Sequence, residues 1–373
     1  MTRIKNLARF AGLGLAAVGL VACGGGGNTD GSGTGLMSLA VTDAPIDHAE
    51  RVVIRFTHVE LQPADGGDRV VIHLDESDGG EGADDSDPSA DTVEVMVDGS
   101  EAGVVDDPPL GTVKEIDLLA LQDGRSAFLF ESVEVEAGDY DWIRFYLERA
   151  PGASTPPLSN FLTSSYIEFK NGHTANLIIP GGLQAGLQLV SGFTVPKDES
   201  VSYTVDFDLR NMIQPTDEFG GGYYRMRRAL RLVDNSNVGM ITGTVDPDLF
   251  PGDNYTCAID TPDGTSRICP GLAVYVYPAD GVQNGGDSAA AESDEMQAAA
   301  VNGDPLTTAN VRFREVSGQW EYRYTAAFLT AGASYDLALT YKGDDELEVL
   351  AEASDIDVNA GERTEVDFPY TPE

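Results

Sequence analysis

The chain has 373 residues, 42% of them hydrophobic, with 42 glycines and 19 prolines, a composition that suits two or three folded domains with many turns. Its 62 acidic residues outnumber 23 basic ones, and the formal net charge is −39. A surface this negative repels phosphates, which excludes nucleic acid as a partner and predicts loose association with cations. Two explanations of the acidic excess stay open: adaptation to salty surroundings, which is favoured, and specific cation binding.

The start of the chain reads as the leader of an exported lipoprotein. Three basic residues precede an apolar run from Phe10 to Ala22, which is too short to span a hydrocarbon core of ~30 Å comfortably. The run ends in Leu-Val-Ala before Cys23, and this resembles the lipobox of bacterial lipoproteins. The resemblance implies a signal peptide over residues 1–22 and lipidation of Cys23. The chain would then be anchored to membrane lipid, since two acyl chains suffice for stable attachment.

The remainder divides into a tether and two β-rich parts. A Gly/Ser-rich tether is predicted over residues 23–36, and Gly24 in place of aspartate implies, by the same resemblance, sorting to the outer membrane. Strand-like runs separated by turn sequences predict β-sandwiches over residues 37–236 and 237–373. The acidic stretch 75–91 is predicted to be a disordered insertion, because it cannot bury enough apolar surface.

The predicted fold class is all-β, with tandem antiparallel β-sandwiches of Ig-like or prealbumin-like type. No amphipathic helix of normal length is evident, and parallel strands usually need helical crossovers. Turn sequences such as Asp123-Gly124 and Asn171-Gly172 separate the strand-like runs. The chain therefore reads as two sheet-on-sheet domains in series.

Two parts of the chain resemble known families. Residues 37 to about 233 resemble the bacterial domain of unknown function 4382, through LAVTDAPIDHAERVVIRFTHVEL, EIDLLALQDGRSAFLFESVEVEAGDYDWIRFYLE and YTVDFDLRNMI in that order. This resemblance implies an extracytoplasmic β-sandwich and supplies no activity and no site residues. Residues 239–373, with GMITGTV and GASYDLALTYKG, look like a carboxypeptidase regulatory or transthyretin-like sandwich.

Two cysteines remain once Cys23 is assigned to lipid. Cys257 and Cys269 flank the turn sequence Pro262–Gly264, which would place them across a hairpin. An oxidising periplasm favours a disulfide between them, worth roughly 3 kcal/mol for a loop of this size. A zinc site is the competing interpretation, but two thiols without a nearby histidine are a weak signal for zinc.

No catalytic or metal-binding motif is evident. The four histidines are His48, His58, His73 and His173, and none lies in a nucleophile elbow or in HExxH spacing. With 62 acids, chance pairs of carboxylates are expected everywhere, so a pair for glycoside hydrolysis carries no signal. The sequence predicts no catalytic residues, no metal ligands and no cofactor.

One stripe of arginines is unusual in so acidic a chain. Alternation along Tyr203–Arg210 and along Tyr223–Val233 sets acids on one strand face and arginines on another. The acids are Asp206 and Asp208, and the arginines are Arg225, Arg227 and Arg231. These residues would either dock an anionic ligand or form cross-strand ion pairs of about 0.2–1 kcal/mol each. The ion pairs are favoured.

Two rows of aromatic residues suggest either sugar binding or core. One row comprises Trp320, Tyr322 and Tyr324, and the other Tyr140, Trp142 and Tyr146. An exposed row would stack on sugar rings, whereas a buried row would simply form core, and core is favoured.

The function predicted from these patterns is that of a membrane-anchored cell-envelope lipoprotein without enzymatic activity. It would be structural, or it would bind an extracellular polysaccharide or protein. A cation-dependent structural protein and a hydrolase with an unrecognised carboxylate pair are the alternatives.

Overall fold

The computed structural model of the protein describes residues 33–44, 49–74, 95–97, 113–152, 156–252, 255–257, 259–260, 266–279, 305–342 and 347–371. The chain from Gly33 onward forms one compact unit. Strands dominate its described residues, and the single α-helix there is one turn long. The all-β class expected from the alternating apolar pattern is confirmed.

The described strands, in chain order, are β1 (Thr34–Ala44), β2 (Ala49–Pro63), β3 (Val70–His73), β4 (Val95–Val97), β5 (Lys114–Asp117), β6 (Ala127–Glu136), β7 (Gly138–Leu147), β8 (Leu162–Phe169), β9 (Thr174–Ile178), β10 (Leu187–Leu189), β11 (Phe193–Val195), β12 (Ser200–Asp208), β13 (Ile213–Thr216), β14 (Tyr223–Met226), β15 (Leu230–Asp234), β16 (Val238–Thr244), β17 (Ile259–Asp260), β18 (Ser266–Pro278), β19 (Thr307–Val316), β20 (Gln319–Thr330), β21 (Ala333–Lys342), β22 (Leu347–Val358) and β23 (Arg363–Glu365). Helix α1 is Leu209–Met212. Short 3-10 turns cover Leu118–Leu121, Leu158–Asn160, Leu183–Ala185, Glu218–Gly220, Asn235–Asn237 and Pro247–Leu249.

Strands β1–β15 form a sandwich of two sheets. The smaller sheet has the order β15-β12-β1-β6, and the larger runs β10-β7-β2-β8-β9-β14-β13, with β3 and β5 on β2, β4 on β3 and β11 on β7. Phe207 of the smaller sheet packs against Phe56 and Phe145 of the larger sheet, with ring centroids 6.1 and 6.0 Å apart. All three side chains are fully buried, so alternate residues from both sheets share one core.

Three strand pairs are parallel, and the one-turn helix α1 is the only α-helix among the described residues that connect them. β1 pairs in parallel with β12, from Leu36 opposite Ser200 to Ala44 opposite Asp208. β14 with β9 and β16 with β23 are the other two. The described part of the connection between β1 and β12 consists mainly of strands, several of which build the opposite sheet. A crossover therefore needs enough chain to return to the same end, and strands supply it here as well as a helix would.

The first strand begins earlier than the glycine-rich composition suggested. β1 starts at Thr34, so residues 34–36 of the predicted tether belong to the sheet. The Leu36 amide donates to the Glu199 carbonyl at 2.9 Å. At Gly35 a Cβ atom would lie 2.2 Å from the Pro196 carbonyl oxygen, so only glycine permits this close approach. The glycine that resembled a flexible tether is in fact a packing requirement.

Strand β5 is only four residues long. β5 ends at Asp117, whose carboxylate accepts hydrogen bonds from the backbone amides of Leu119 and Val52, both at 3.2 Å. This cap starts the 3-10 turn Leu118–Leu121 in place of further strand. The turn buries Leu118 in the core, and the residue after the turn, Gln122, accepts a hydrogen bond from Asn310 of β19 at 2.8 Å.

Strands β16–β23 form one eight-stranded sheet with the order β22-β21-β18-β19-β20-β16-β23, and β17 pairs with β18. The sheet curls so that β22, at one end of this order, contacts β16 and β23 at the other. Val274, Val276 and Leu339 are among the residues that fill the curl. The resemblance of this part to carboxypeptidase regulatory domains stays a prediction.

Candidate functional site

The predicted cysteine pairing is present. Cys257 and Cys269 are joined by a disulfide and are both buried beside the C-terminal core. The competing zinc interpretation has no support among the described residues, where no group of three or more metal-ligating side chains converges. Cys23 and the acidic insertion 75–91 lie outside the described residues.

The arginine stripe is not one surface, and that part of the prediction is wrong. The run 223–233 is divided: β14 belongs to the larger sheet and β15 to the smaller one. Between the two strands the Ala229 amide donates to the Arg227 carbonyl at 3.1 Å, a tight turn that separates β14 from β15. Arg225 pairs with Glu218, and Arg227 is exposed. The three arginines therefore cannot bind one anionic ligand together.

The favoured ion-pair interpretation holds for one arginine. Arg231 lies directly opposite Asp206, and its Nη2 is 2.8 Å from Asp206 Oδ2 with both side chains largely buried. Its Nη1 donates to the Phe328 carbonyl of the C-terminal sheet at 3.0 Å. Asp208 instead accepts from the backbone amide and side chain of Asn211, and burial raises the pKa of Asp208 to about 6.

The aromatic row of the N-terminal sandwich is divided between core and surface. Where β2 pairs with β7, Gln62 lies opposite Trp142, but the next residue of β2, Pro63, lies opposite Tyr140. Asp141 of β7 is therefore the extra residue of a β-bulge. Side chains that precede the bulge point to the opposite face from the one that simple alternation predicts. Tyr140 consequently points into the core, where its ring stacks on Phe193 at 4.9 Å. Trp142 lies on the outer face of the sheet.

The row of the C-terminal sheet runs from the surface into the core. Trp320 is 51% exposed, Tyr322 is half-buried, and Tyr324 is buried with its hydroxyl donating to the Val366 carbonyl at 2.7 Å. Burial raises the pKa of Tyr324. The core interpretation therefore describes only the inner end of this row.

Around Trp142, rings and hydrogen-bonding side chains alternate on the outer face of the larger sheet. We call this set the Trp142 face, and its members on adjoining strands are Trp142, Arg144 and Tyr146 of β7, His58 and Glu60 of β2, His73 of β3 and Gln188 of β10. Tyr146 lies opposite His58 and Arg144 opposite Glu60. All of these side chains are partly accessible, because the neighbouring residues of β7 point into the core.

Arg144 organises the middle of the Trp142 face. Its guanidinium lies over the Trp142 ring, 4.4 Å from the centroid, in cation–π geometry. One nitrogen donates to Gln188 Oε1 at 3.2 Å, and the other lies 3.4 Å from the Tyr146 hydroxyl and 3.6 Å from Glu60 Oε2. The Tyr146 hydroxyl also donates to Glu60 at 3.0 Å. These contacts hold the rings and polar groups of the face in position.

One of the two histidines on this face, His58, is held as an uncharged ring. His58 stacks on Tyr146 with ring centroids 4.2 Å apart and planes 12° apart. Its ring centroid lies 5.6 Å from that of His73. Burial, together with the nearby His73, lowers the pKa of His58 to about 4. His58 is therefore neutral near pH 7 and acts here as a flat surface with hydrogen-bonding edges.

Sequence reasoning identified Trp142 and Tyr146 but missed the polar residues between and beside them. The signal was present as a second alternation, because His58, Glu60 and Gln62 also recur every two residues. The pattern on β2 becomes informative only once β2 is known to pair with β7, because this pairing places the polar residues of β2 beside the rings of β7. Pairing between distant strands cannot be read from one strand alone.

A cleft elsewhere in the N-terminal sandwich is less informative. It has a volume of about 310 Å³ and is lined by Ile179, Leu187, Met226 and Arg228 among others. One charged group at an apolar cleft does not define a ligand, since specific sites combine several convergent polar groups.

Among the described residues no helix is long and apolar enough to cross a bilayer.

Fold and site together define an all-β protein with an outward-facing, preorganised polar–aromatic surface. Residues 34–227, more than half of the chain, match the family model described as Domain of unknown function (DUF4382). The chain belongs to this family. No curated protein matches it.

Two solved structures show distant similarity. One is a crystal structure of a candidate adhesin from Bacteroides ovatus, at 9% identity and a TM-score of 0.17, covering 95% of this chain and 100% of that one. The other is of candidate polysaccharide-binding proteins (DUF1812) from Bacteroides thetaiotaomicron, at 9% identity and a TM-score of 0.16, covering 83% and 78%. TM-scores this low carry no argument about fold or function.

Proposed function

We propose that the protein is a non-enzymatic binding module that holds an extracellular polysaccharide on its Trp142 face. The observation that carries the proposal is the set of Trp142, Arg144 and Tyr146, which present two rings and a guanidinium outward from one strand. Tryptophan and tyrosine are suited to such contacts because each combines an apolar ring with a polar group.

The chemistry of a sugar matches this arrangement. A pyranose ring has apolar C–H surfaces that stack on aromatic rings, and its hydroxyls need donors and acceptors at the rim. Arg144 supplies donors, Glu60 supplies acceptors, and Gln188 supplies both. A ligand that meets preorganised groups loses less binding energy to ordering of side chains.

Replacing Trp142 with alanine is expected to weaken polysaccharide binding about tenfold or more, since loss of one central aromatic contact costs ~1.4 kcal/mol or more. Affinity electrophoresis through gels that contain β-glucan, xylan, mannan or polygalacturonate would measure the change. The control is Tyr370→Ala, which removes another exposed ring, 47% accessible, outside this face. Equal retardation of wild type and Trp142→Ala in every gel, or no retardation of either, would refute the proposal.

We further propose that the protein is anchored to the outer membrane through acylated Cys23. Support comes from the basic residues, the apolar run and the small residues before this cysteine. Metabolic labelling with a fatty acid is expected to mark the wild type and not Cys23→Ala. Retention of the label in that variant would contradict lipidation at this position.

A further inference from the structure

A second set of rings forms a continuous track across the C-terminal sheet. We call it the ring track, and its members in order of contact are Trp320, Phe313, Tyr322, Phe250, Tyr255 and Tyr341. Centroids of successive rings are 4.9, 4.6, 4.7, 5.4 and 5.9 Å apart. The track lies outside the residues that match the family model.

The ring track is too accessible to be only core. Trp320, at its outer end, is 51% exposed, although its ring is held in a stack on Phe313 with planes 28° apart. The other five rings are partly buried and lie against the core without joining it. A large ring that is both exposed and fixed costs little entropy when a ligand covers it.

Negative charge near the ring track favours an uncharged ligand over an anionic one. Glu315 lies directly opposite Trp320 in the β19–β20 ladder and is exposed on the same side of the sheet. The formal net charge of −39 adds to the negative potential. An anionic polymer would be repelled here, whereas a neutral sugar would find acceptors for its hydroxyls.

We propose that the ring track is a second glycan-binding site, selective for neutral polysaccharides. It extends the proposed function from one face of the molecule to two, so that a linear polymer is held by rings on both sandwiches. Two weak contacts to one polymer reinforce each other, because the second contact forms at high effective concentration.

The two sites can be tested separately because the chain has only two tryptophans, one in each site. In the full-length chain, Trp142→Phe leaves only Trp320 to report on the ring track, and Trp320→Phe leaves only Trp142. Each variant would be titrated with the neutral polymers β-glucan, xylan and mannan and with anionic polygalacturonate, and tryptophan emission would be recorded.

Neutral polymers are expected to shift the emission of Trp320, and polygalacturonate is expected to leave it unchanged. Trp320→Ala should weaken binding of neutral polymers about tenfold, while Tyr370→Ala should bind as the wild type does. A response of Trp142 alone would overturn the ring-track inference and leave the proposed function intact. An emission shift of Trp320 alone would support the ring-track inference and overturn the proposed function of the Trp142 face. No emission shift of either tryptophan would overturn both proposals.

Self-association through the ring track is tested by a further measurement. Sedimentation of the full-length chain is expected to give the same mass for wild type and Trp320→Ala. Self-association that disappears in Trp320→Ala would instead show that the rings form an interface between copies, and it would overturn the inference.

Discussion

Replacing Arg312 with methionine is expected to destabilise the protein by about 3 kcal/mol. Arg312 is 6% exposed, and its Nε lies 2.5 Å from Asp123 Oδ2, on the loop after β5. Its Nη2 also donates to Gln122 Oε1 at 3.0 Å, which accepts from Asn310 as well. Removing one partner of a buried pair leaves the other charge without compensation, at a cost of 3–5 kcal/mol in typical cases. We expect a loss at the lower end of this range because the positive charge of Arg125 also stabilises the ionised Asp123 carboxylate.

Urea unfolding of single and double variants would measure this contribution. Adding Asp123→Asn to Arg312→Met is expected to recover part of the loss, since no buried charge then lacks its partner. Asparagine suits this position because residue 123 has a φ of 63°. Arg363→Met, at an exposed arginine of β23, serves as the control and should change stability by less than ~0.5 kcal/mol. A loss no larger than that of the control would contradict the prediction.

Replacing Asp43 with asparagine is expected to stabilise the protein near neutral pH by about 1–3 kcal/mol, because the amide removes a buried negative charge that lies among other carboxylates. Asp43 is 7% exposed, and neither carboxylate oxygen has a hydrogen bond of ordinary geometry. Burial raises the pKa of Asp43 well above its usual range. The charges of Asp206, Asp208 and Asp117 raise this pKa further, and only the nearby Gln122 amide lowers it.

The sign of the pH dependence follows from this raised pKa. Native Asp43 keeps its proton to a higher pH than it does in the unfolded chain, so its contribution to stability is lost as the pH rises. Asp43→Asn should therefore stabilise most at roughly pH 8 and progressively less towards roughly pH 4. Urea unfolding across this range would show the trend, with Asp248→Asn, at an exposed position, as the control. A stability difference independent of pH would mean that Asp43 does not titrate as the structure requires.

Strand alternation made much of the N-terminal core readable from the sequence. Tyr203, Val205 and Phe207 of β12 recur at every second position, and the structure buries all three in the core. They share one face because side chains of a regular strand alternate with a period of two. The same rule placed Asp206 on the opposite face, where it meets Arg231.

The rule failed where a strand was irregular or left its sheet. Tyr140 and Trp142 share a parity in the sequence, but the bulge at Asp141 sends one ring inward and the other outward. Arg225 and Arg231 also share a parity, yet the chain leaves the ladder between them and they belong to different sheets. Bulges and sheet changes depend on the partner strands, and one strand's own sequence does not contain that information.

Local patterns in the amino acids were enough to establish the all-β class, the family and the pairing of Cys257 with Cys269. Each of these depends on residues close together in the chain or on sequence motifs that recur across a family. Tertiary packing was needed to place Trp142 at the surface, and to bury Asp43 and Arg312. Burial depends on which distant strands cover a residue, and those contacts form only when the chain has folded.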